Sequence, residues 1–294
     1  MDTNIERLPQ WLRRPAGSSA KTAELKRVLR SSSLNTVCEE ARCPNIEECF
    51  SSGTATFMIL GDICTRGCKF CSVHTGTPKM SPLNFELEAS SVVEATKKLG
   101  LKYVVITSVA RDDLADGGAS GFVATVGAIK RELPEVEVEV LVPDFRGNQD
   151  SITSVINSGI KVFNHNLETV PRLYRKVRPG SGYKRSLDLL KFAKDANPKV
   201  LTKTGIMLGL GEEKEEVYDL MKDSIQAGID IFTAGQYMRP SLSHLAVERY
   251  VKPVEFDHYR DYAKKLGFKS VFAGPLVRSS YHAGEEIERI VSSI

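Results

Sequence analysis

The chain has 294 residues, of which 41% are hydrophobic and 26% charged, with a formal net charge of +3. That composition suits one large globular core, argues against a disordered chain, and leaves too little excess charge to mark nucleic acid as a partner. No apolar run approaches the about eighteen residues needed to cross a bilayer. The opening Met1-Asp2-Thr3-Asn4 carries no Arg-rich or apolar targeting pattern, so a cytoplasmic protein without a membrane partner is the expectation.

In chain order, the first landmark is a cysteine triplet, Cys38, Cys43 and Cys49, in an extension over residues 1–53. A β-rich run at 54–60 follows, and directly after it a second triplet, Cys64, Cys68 and Cys71, which completes the six cysteines of the chain. A cytosolic chain of this length needs no disulfide framework and its thiols are kept reduced, so metal ligation is the better expectation.

Further β-rich runs at 103–109, 136–142, 162–167, 201–208 and 231–237 alternate with amphipathic stretches, and a short extra run lies at 270–273. Ala89, Val92, Val93, Thr96 and Leu99 share one helical face, with Gly100 placed to stop the helix. Phe122, Val126, Ile129 and Leu133 repeat the pattern behind a Ser120 cap. Val217, Leu220, Met221 and Ile225 do so after the acidic stretch 212–216, with Gly228 as terminator.

Repeated βα units imply a parallel sheet. Six main units are fewer than the eight that close a full barrel, so the expected fold is α/β, a partial (β/α)6 barrel over 54–240 with a C-terminal extension over 241–294 that closes the site. A doubly wound open sheet is the alternative. In both, ligands bind at the carboxyl ends of the strands.

Cys64, Cys68 and Cys71 form CxxxCxxC on a loop whose Gly61 and Gly67 let it wrap a compact inorganic core. A four-iron four-sulfur cube needs a ligand at every iron, so a local triplet leaves one iron for a non-protein ligand. Zinc, which usually closes with four protein ligands on paired CxxC knuckles, is the alternative. The spacing, Phe70 just before the last cysteine, and the position after the first strand of a βα-repeat chain together resemble the radical S-adenosylmethionine superfamily. The resemblance implies that the cofactor's amino and carboxylate groups chelate the open iron and that electron transfer cleaves its sulfonium to a 5′-deoxyadenosyl radical. Asp116-Gly117-Gly118 follows the second strand, where superfamily members often carry Gly-Gly-Glu to meet the methionine amino group. Here Ala119 stands in place of the glutamate.

The first triplet reads CxxxxCxxxxxC, with Glu39-Glu40-Ala41-Arg42 and Pro44-Asn45 between its cysteines, and closely resembles the auxiliary-cluster motif of the lipoyl synthase family. Other matches run through Leu8-Pro9-Gln10-Trp11-Leu12, Ile106-Thr107-Ser108-Val109-Ala110-Arg111-Asp112-Asp113-Leu114, Asn164-His165-Asn166-Leu167-Glu168-Thr169, Arg178-Pro179-Gly180 and Arg278-Ser279-Ser280-Tyr281. This resemblance implies an N-terminal cluster-binding extension and a second [4Fe-4S] cluster whose sulfides become two carbon–sulfur bonds. It also implies a serine oxygen, Ser280 in preference to Ser279, as that cluster's fourth ligand; without it, both serines would read as caps of a helix beginning near Gly284.

The implied enzyme is a sulfur-inserting transferase that adds sulfur at carbons 6 and 8 of an octanoyl group on a lysine of a lipoyl carrier domain, such as the glycine cleavage H protein or a 2-oxoacid dehydrogenase E2. Ferredoxin or flavodoxin is implied as electron donor, and an iron-sulfur carrier as the source of a rebuilt cluster. A radical enzyme of the biotin synthase or methylthiotransferase kind is the enzymatic alternative. A non-enzymatic cluster scaffold or electron-transfer protein is the alternative of a different class.

His165 reads as a hydrogen-bonded barrel residue. The family pattern makes Asn166 and Glu168 contacts for the cofactor's ribose or methionine, and Arg178 a bidentate partner for its carboxylate. Gly209 and Gly211 lack the Lys-Ser/Thr of a phosphate loop and would instead let backbone approach the adenine. Arg172, Arg175, Lys176, Arg178, Lys184 and Arg185, with no acidic residue among them, form a basic stretch suited to docking an acidic carrier.

Overall fold

Strands buried on both faces read as near-continuous apolar runs, and the β-rich runs of this chain form such a sheet. The structure, a computed structural model, describes residues 8–13, 27, 35–36, 45–51, 55–78, 84–281 and 283–292. Its strands are β1 (Asn35–Thr36), β2 (Ala55–Ile59), β3 (Ile63–Cys64), β4 (His74–Thr75), β5 (Tyr103–Ser108), β6 (Glu137–Leu141), β7 (Val162–Asn164), β8 (Leu201–Leu208), β9 (Ile231–Gln236) and β10 (Ser270–Gly274). The main sheet has the order β1-β2-β5-β6-β7-β8-β9-β10, while β3 and β4 pair apart from it.

Every pairing from β2 through β10 is parallel, and β1 joins β2 antiparallel at the edge. Strand order follows chain order without the reversal that defines a doubly wound sheet, so that alternative is set aside and the partial barrel stands. The run at 270–273 becomes a seventh parallel strand, with Ser270 opposite Ile231 and Gly274 opposite Gly235. Among the described residues no helix is long and apolar enough to cross a membrane.

Helices between the strands cover the outer face. In Phe85–Leu99, Ala89, Val92, Val93 and Thr96 are buried, the Asn84 side chain accepts from the Leu87 N–H, and Gly100 ends the helix at φ 59°. The helix Ala119–Glu132 differs from expectation in its cap. Ser120 lies inside its first turn, and the Asp116 carboxylate accepts from the N–H groups of Gly118 and Ser120 at 2.9 and 2.7 Å. An ionised carboxylate is the stronger acceptor, and the Ser120 hydroxyl itself donates to it at 2.6 Å.

The barrel interior is layered. At the amino ends of the strands, Tyr103, Val105, Val162, Leu201 and Ile231 pack with Ala283, Ile287 and Ile290 of the last helix, Ala283–Ser292. Above them lies a fully buried ion pair, Lys203 to Glu139 at 3.4 Å. Glu139 also accepts from the Tyr103 hydroxyl and the Asn164 amide, each at 2.8 Å, which offsets its loss of water. The carboxyl ends of the strands, one layer further up, open into a cavity.

Candidate active site

After β2, Leu60 and Gly61 take left-handed backbone (φ 69° and 86°) and turn the chain into the cysteine loop. The loop is pinned along its length. Thr65 donates its N–H and hydroxyl to the Ala110 carbonyl at 3.0 and 2.9 Å, and the Lys69 N–H donates to Val177 at 2.9 Å. His244 Nε2 holds the Cys71 carbonyl at 3.0 Å.

Cys64, Cys68 and Cys71 thereby line one wall of a cavity of about 490 Å³. The N–H groups of Arg66 and Ala110 point at Cys64 Sγ from 3.4 and 3.3 Å, as suits a thiolate. Burial pushes the Cys71 thiol up to about 12 and raises that of Cys68, with the neighbouring sulfurs adding to both shifts and Arg178 opposing the second. A metal that replaces these protons removes that penalty, so the donor set fits soft iron chemistry. Among the described residues no three His, Cys, Asp or Glu side chains are gathered closely enough to hold a single ion. A cube, by contrast, takes each thiolate on a different iron.

The same cavity is lined by Asn45 and Cys49 from the N-terminal extension and by Ser279 and Ser280 near the C-terminus. Two ties join these ends: the Asn45 amide donates to the Leu276 carbonyl, and the Tyr281 hydroxyl donates to Glu48 at 2.6 Å. Cys38 and Cys43 lie outside the described residues. The C-terminal return crosses β9 so closely that a methyl group at Gly235 would overlap the Val277 carbonyl. Gly235→Ala is therefore expected to displace the segment bearing Ser279 and Ser280 and to destabilise the fold by about 1–3 kcal/mol, the usual cost of overpacking. Chemical denaturation checks the magnitude, and an unchanged midpoint would contradict the close contact.

Asn166, Glu168 and Arg178 also reach the cavity. Arg178 is 8% exposed and donates through Nη1 to the Asn166 carbonyl at 2.7 Å and the Tyr174 hydroxyl at 3.0 Å. Its Nε, Asn166 Oδ1 and Ser108 Oγ have no hydrogen-bond partner among the described residues. Buried polar atoms are rarely left so, and these suit a polar ligand. Glu168 holds a left-handed backbone (φ 66°) that stores about 1–3 kcal/mol of strain at the cavity edge. Burial pushes its carboxyl up, against the charge of Arg178. Phe70 lines the wall beside the cysteines.

Other residues of the expected site sit off this wall. Gly117 and Gly118 do not line the cavity; a methyl group at Gly118 would overlap Leu60, so this pair seats a helix against the β2 turn. Gly209 and Gly211 are also off the cavity wall. Gly209 packs on Gln236 and the Arg249 carbonyl, and the N–H groups of Gly209 and Leu210 donate to Glu212 at 2.6 and 2.9 Å. The basic stretch is not a free cationic face. Arg172 pairs with Glu216, Lys176 with Glu248, Lys184 with Asp188 and Arg185 with Asp144, and Arg178 is buried, which leaves Arg175 without a carboxylate among the described residues.

His165 is buried and hydrogen-bonded inside the barrel, as expected, and joins the cavity lining. Its Nδ1–H donates to the Val142 carbonyl at 2.8 Å and its Nε2 accepts from the Ser186 hydroxyl at 2.9 Å. Burial, aided by the charge of Arg178, lowers its pKa to about 4. The unfolded chain takes this proton first, so the contribution is complete above pH 6.5 and is lost as the pH falls toward 4, by about 1.4 kcal/mol per pH unit. NMR titration of the ring should find it neutral at pH 5, whereas a midpoint near 6.5 would contradict the burial.

Arg66, which the motif reading passed over, is the main brace of the cysteine loop. Its guanidinium grips Asp112 through two bonds of 2.7 Å and Asp144 at 2.6 Å, and Asp144 is also held by Arg185 at 2.7 Å. Burial opposes the charge of Arg66, but its two carboxylates outweigh that and raise its pKa. The available signal was an arginine between cluster-spaced cysteines with aspartates just beyond β5 and β6.

Residues 58–224 match the Radical SAM superfamily. A lipoyl synthase of Rubrobacter xylanophilus is 53% identical over 280 residues, 95% of this chain and 86% of that protein. The chain belongs to the lipoyl synthase family. Another lipoyl synthase, from Caldanaerobacter subterraneus subsp. tengcongensis, is 53% identical over 94% of this chain and 96% of its own length. The crystal structure of Streptococcus suis SuiB bound to precursor peptide SuiA matches the fold with a TM-score of 0.59 at 12% identity, covering 90% of this chain and 55% of SuiB. As a lipoyl synthase of the Radical SAM superfamily, the chain uses S-adenosylmethionine with a [4Fe-4S] cluster.

Proposed function

We propose that the chain converts a protein-bound N6-octanoyl-lysine to lipoyl-lysine by inserting sulfur at carbons 6 and 8. In this reading Cys64, Cys68 and Cys71 hold the radical-generating cluster, while Cys38, Cys43, Cys49 and Ser280 hold an auxiliary cluster that supplies the sulfur. The observation that supports it is the meeting of both chain ends at one cavity, where Cys49 and Ser280 share the lining with the Cys64-Cys68-Cys71 loop. On this reading residues 1–53 supply the three auxiliary cysteines, 54–240 the radical core and 241–294 the closing segment with Ser280.

When bound, the cofactor supplies a primary-carbon radical, which an alkane C–H bond requires because it offers no acidity to a general base. The protein's own part is positioning. The free Nε–H of Arg178 suits the carboxylate of S-adenosylmethionine, and Asn166 and Glu168 suit its remaining polar groups. Met58, Val109, Leu141, Ile206 and Met207 give the cavity an apolar wall for an octanoyl chain and keep water from the radical.

The partners in this reading are octanoylated H protein or E2 domains, a ferredoxin or flavodoxin, and an iron-sulfur carrier, all in the cytoplasm. Iron and sulfide analysis of the anaerobic holoenzyme, with the mass of an octanoylated carrier after turnover, tests it. Two clusters and a carrier bearing two added sulfurs are expected; a single cluster or an unchanged octanoyl group would overturn the proposal.

A further inference from the structure

The cysteine loop has an outer face as well as a cavity face. Lys69 lies between Cys68 and Phe70, both of which line the cavity, yet Lys69 is exposed and absent from the lining. Its backbone is clamped from two sides, the N–H donating to Val177 at 2.9 Å and the carbonyl accepting from Leu245 at 3.1 Å. These bonds draw the helix Tyr174–Val177 and the segment around Leu242 onto the back of the loop. Arg175 and Lys176 are exposed on that helix, and Leu242, 76% exposed, is the most exposed large apolar side chain among the described residues.

Among the described residues neither Lys69 nor Arg175 has a carboxylate partner, and Glu248 at 3.1 Å answers only Lys176. The surface behind the sulfurs is thus an apolar point flanked by uncompensated positive charge. We infer that an acidic one-electron donor protein docks here, on the outer face of the cysteine loop over Lys69, Arg175 and Leu242; this rests on the radical reading above.

Electron transfer weakens steeply with distance, so the donor must approach the cluster closely, and this face reaches it without blocking the cavity. An acyl carrier must instead deliver its lysine arm into the cavity, which Lys69, Arg175 and Leu242 do not line. Redox encounters are small and steered by charge, which suits a compact patch. One electron leaves the donor, which is oxidised, and passes through the cluster to the sulfonium of S-adenosylmethionine. The sulfur–carbon bond then breaks to methionine and a primary carbon radical.

The test uses the reconstituted holoenzyme with reduced flavodoxin, an acidic flavoprotein, and separately with dithionite. Arg175→Glu, alone and with Lys69→Glu, should weaken flavodoxin binding and slow its reoxidation in stopped flow by about tenfold or more at low salt, with a flatter salt dependence. Formation of 5′-deoxyadenosine with dithionite should be unchanged in Arg175→Glu. Unaltered flavodoxin binding and reoxidation, an equal loss with dithionite in Arg175→Glu, or lost carrier binding with normal flavodoxin kinetics would each overturn the inference. Failure of the unsubstituted enzyme to form 5′-deoxyadenosine with dithionite would overturn the radical reading instead.

Discussion

Replacing Cys64 with alanine is expected to reduce 5′-deoxyadenosine formation to background, whereas Cys49→Ala should retain it and yield no thiolated carrier. The asymmetry follows from where the two cysteines sit. Cys64 closes β3, just past the turn out of β2, its sulfur faced by two backbone N–H groups, and on the proposed reading its loss would remove one of three local ligands from a cluster with one iron left to a non-protein ligand. Cys49 comes from the N-terminal helix Ile46–Ser51 and shares the cavity with Ser279 and Ser280, so its loss should spare the Cys64-Cys68-Cys71 loop. Mass spectrometry of both products after anaerobic turnover separates the two outcomes. Normal lipoyl formation by Cys49→Ala would remove the N-terminal triplet from sulfur supply.

Arg66→Met is expected to destabilise the fold by about 3–5 kcal/mol, the usual consequence of removing one partner from a buried ion pair. The substitution removes the main partner of Asp112 and Asp144, whose side chains are 17% and 0% exposed; Asp112 keeps only the exposed Arg146 at 3.5 Å, and Asp144 keeps Arg185 and the Arg146 N–H. Hydrogen bonding and charge from Arg66 hold the Asp112 carboxyl below its ordinary range; burial alone would push Asp144 up, but Arg66 holds it well below that range too. A carboxyl depressed in the folded state contributes stability that is complete above its unfolded pKa of about 3.9 and fades as the pH falls through the folded value. The gap between wild type and Arg66→Met should therefore be full at pH 7 and narrow below about pH 4. Arg66→Lys should recover only part of it, because an ammonium cannot reproduce the two-pronged grip on Asp112. Denaturant titrations across pH test this, and a gap that stays constant down to pH 3, or one below about 1 kcal/mol at pH 7, would contradict the role given to Arg66.

Strands β2 and β5 to β9 were legible because each is largely sheltered on both faces, so a run of apolar and β-branched residues marks it without help from the rest of the chain. The reading of 162–167 overshot: β7 ends at Asn164, and the residues beyond it turn toward the cavity, Glu168 with left-handed backbone. The cysteine loop was legible because cluster ligation leaves its spacing in the local sequence. What stayed hidden depends on contacts between distant residues. Gly117 and Gly118 matched a binding motif by position, yet the side chain that makes Gly118 necessary is Leu60. The basic stretch looked free because its carboxylates, Glu216, Glu248 and Asp144, lie outside it. Arg66 was passed over for the same reason, since its importance comes from aspartates beyond two other strands. Asp116 displaced Ser120 as a cap for a more local reason, the greater acceptor strength of a carboxylate.

The most direct test of the account is the origin of the inserted sulfur. Holoenzyme reconstituted with heavy-isotope sulfide, freed of unbound sulfide and given octanoylated carrier for a single turnover, should yield lipoyl-lysine in which both sulfurs are heavy, with loss of the auxiliary cluster. Light sulfur in the product, or full turnover with both clusters retained, would contradict it.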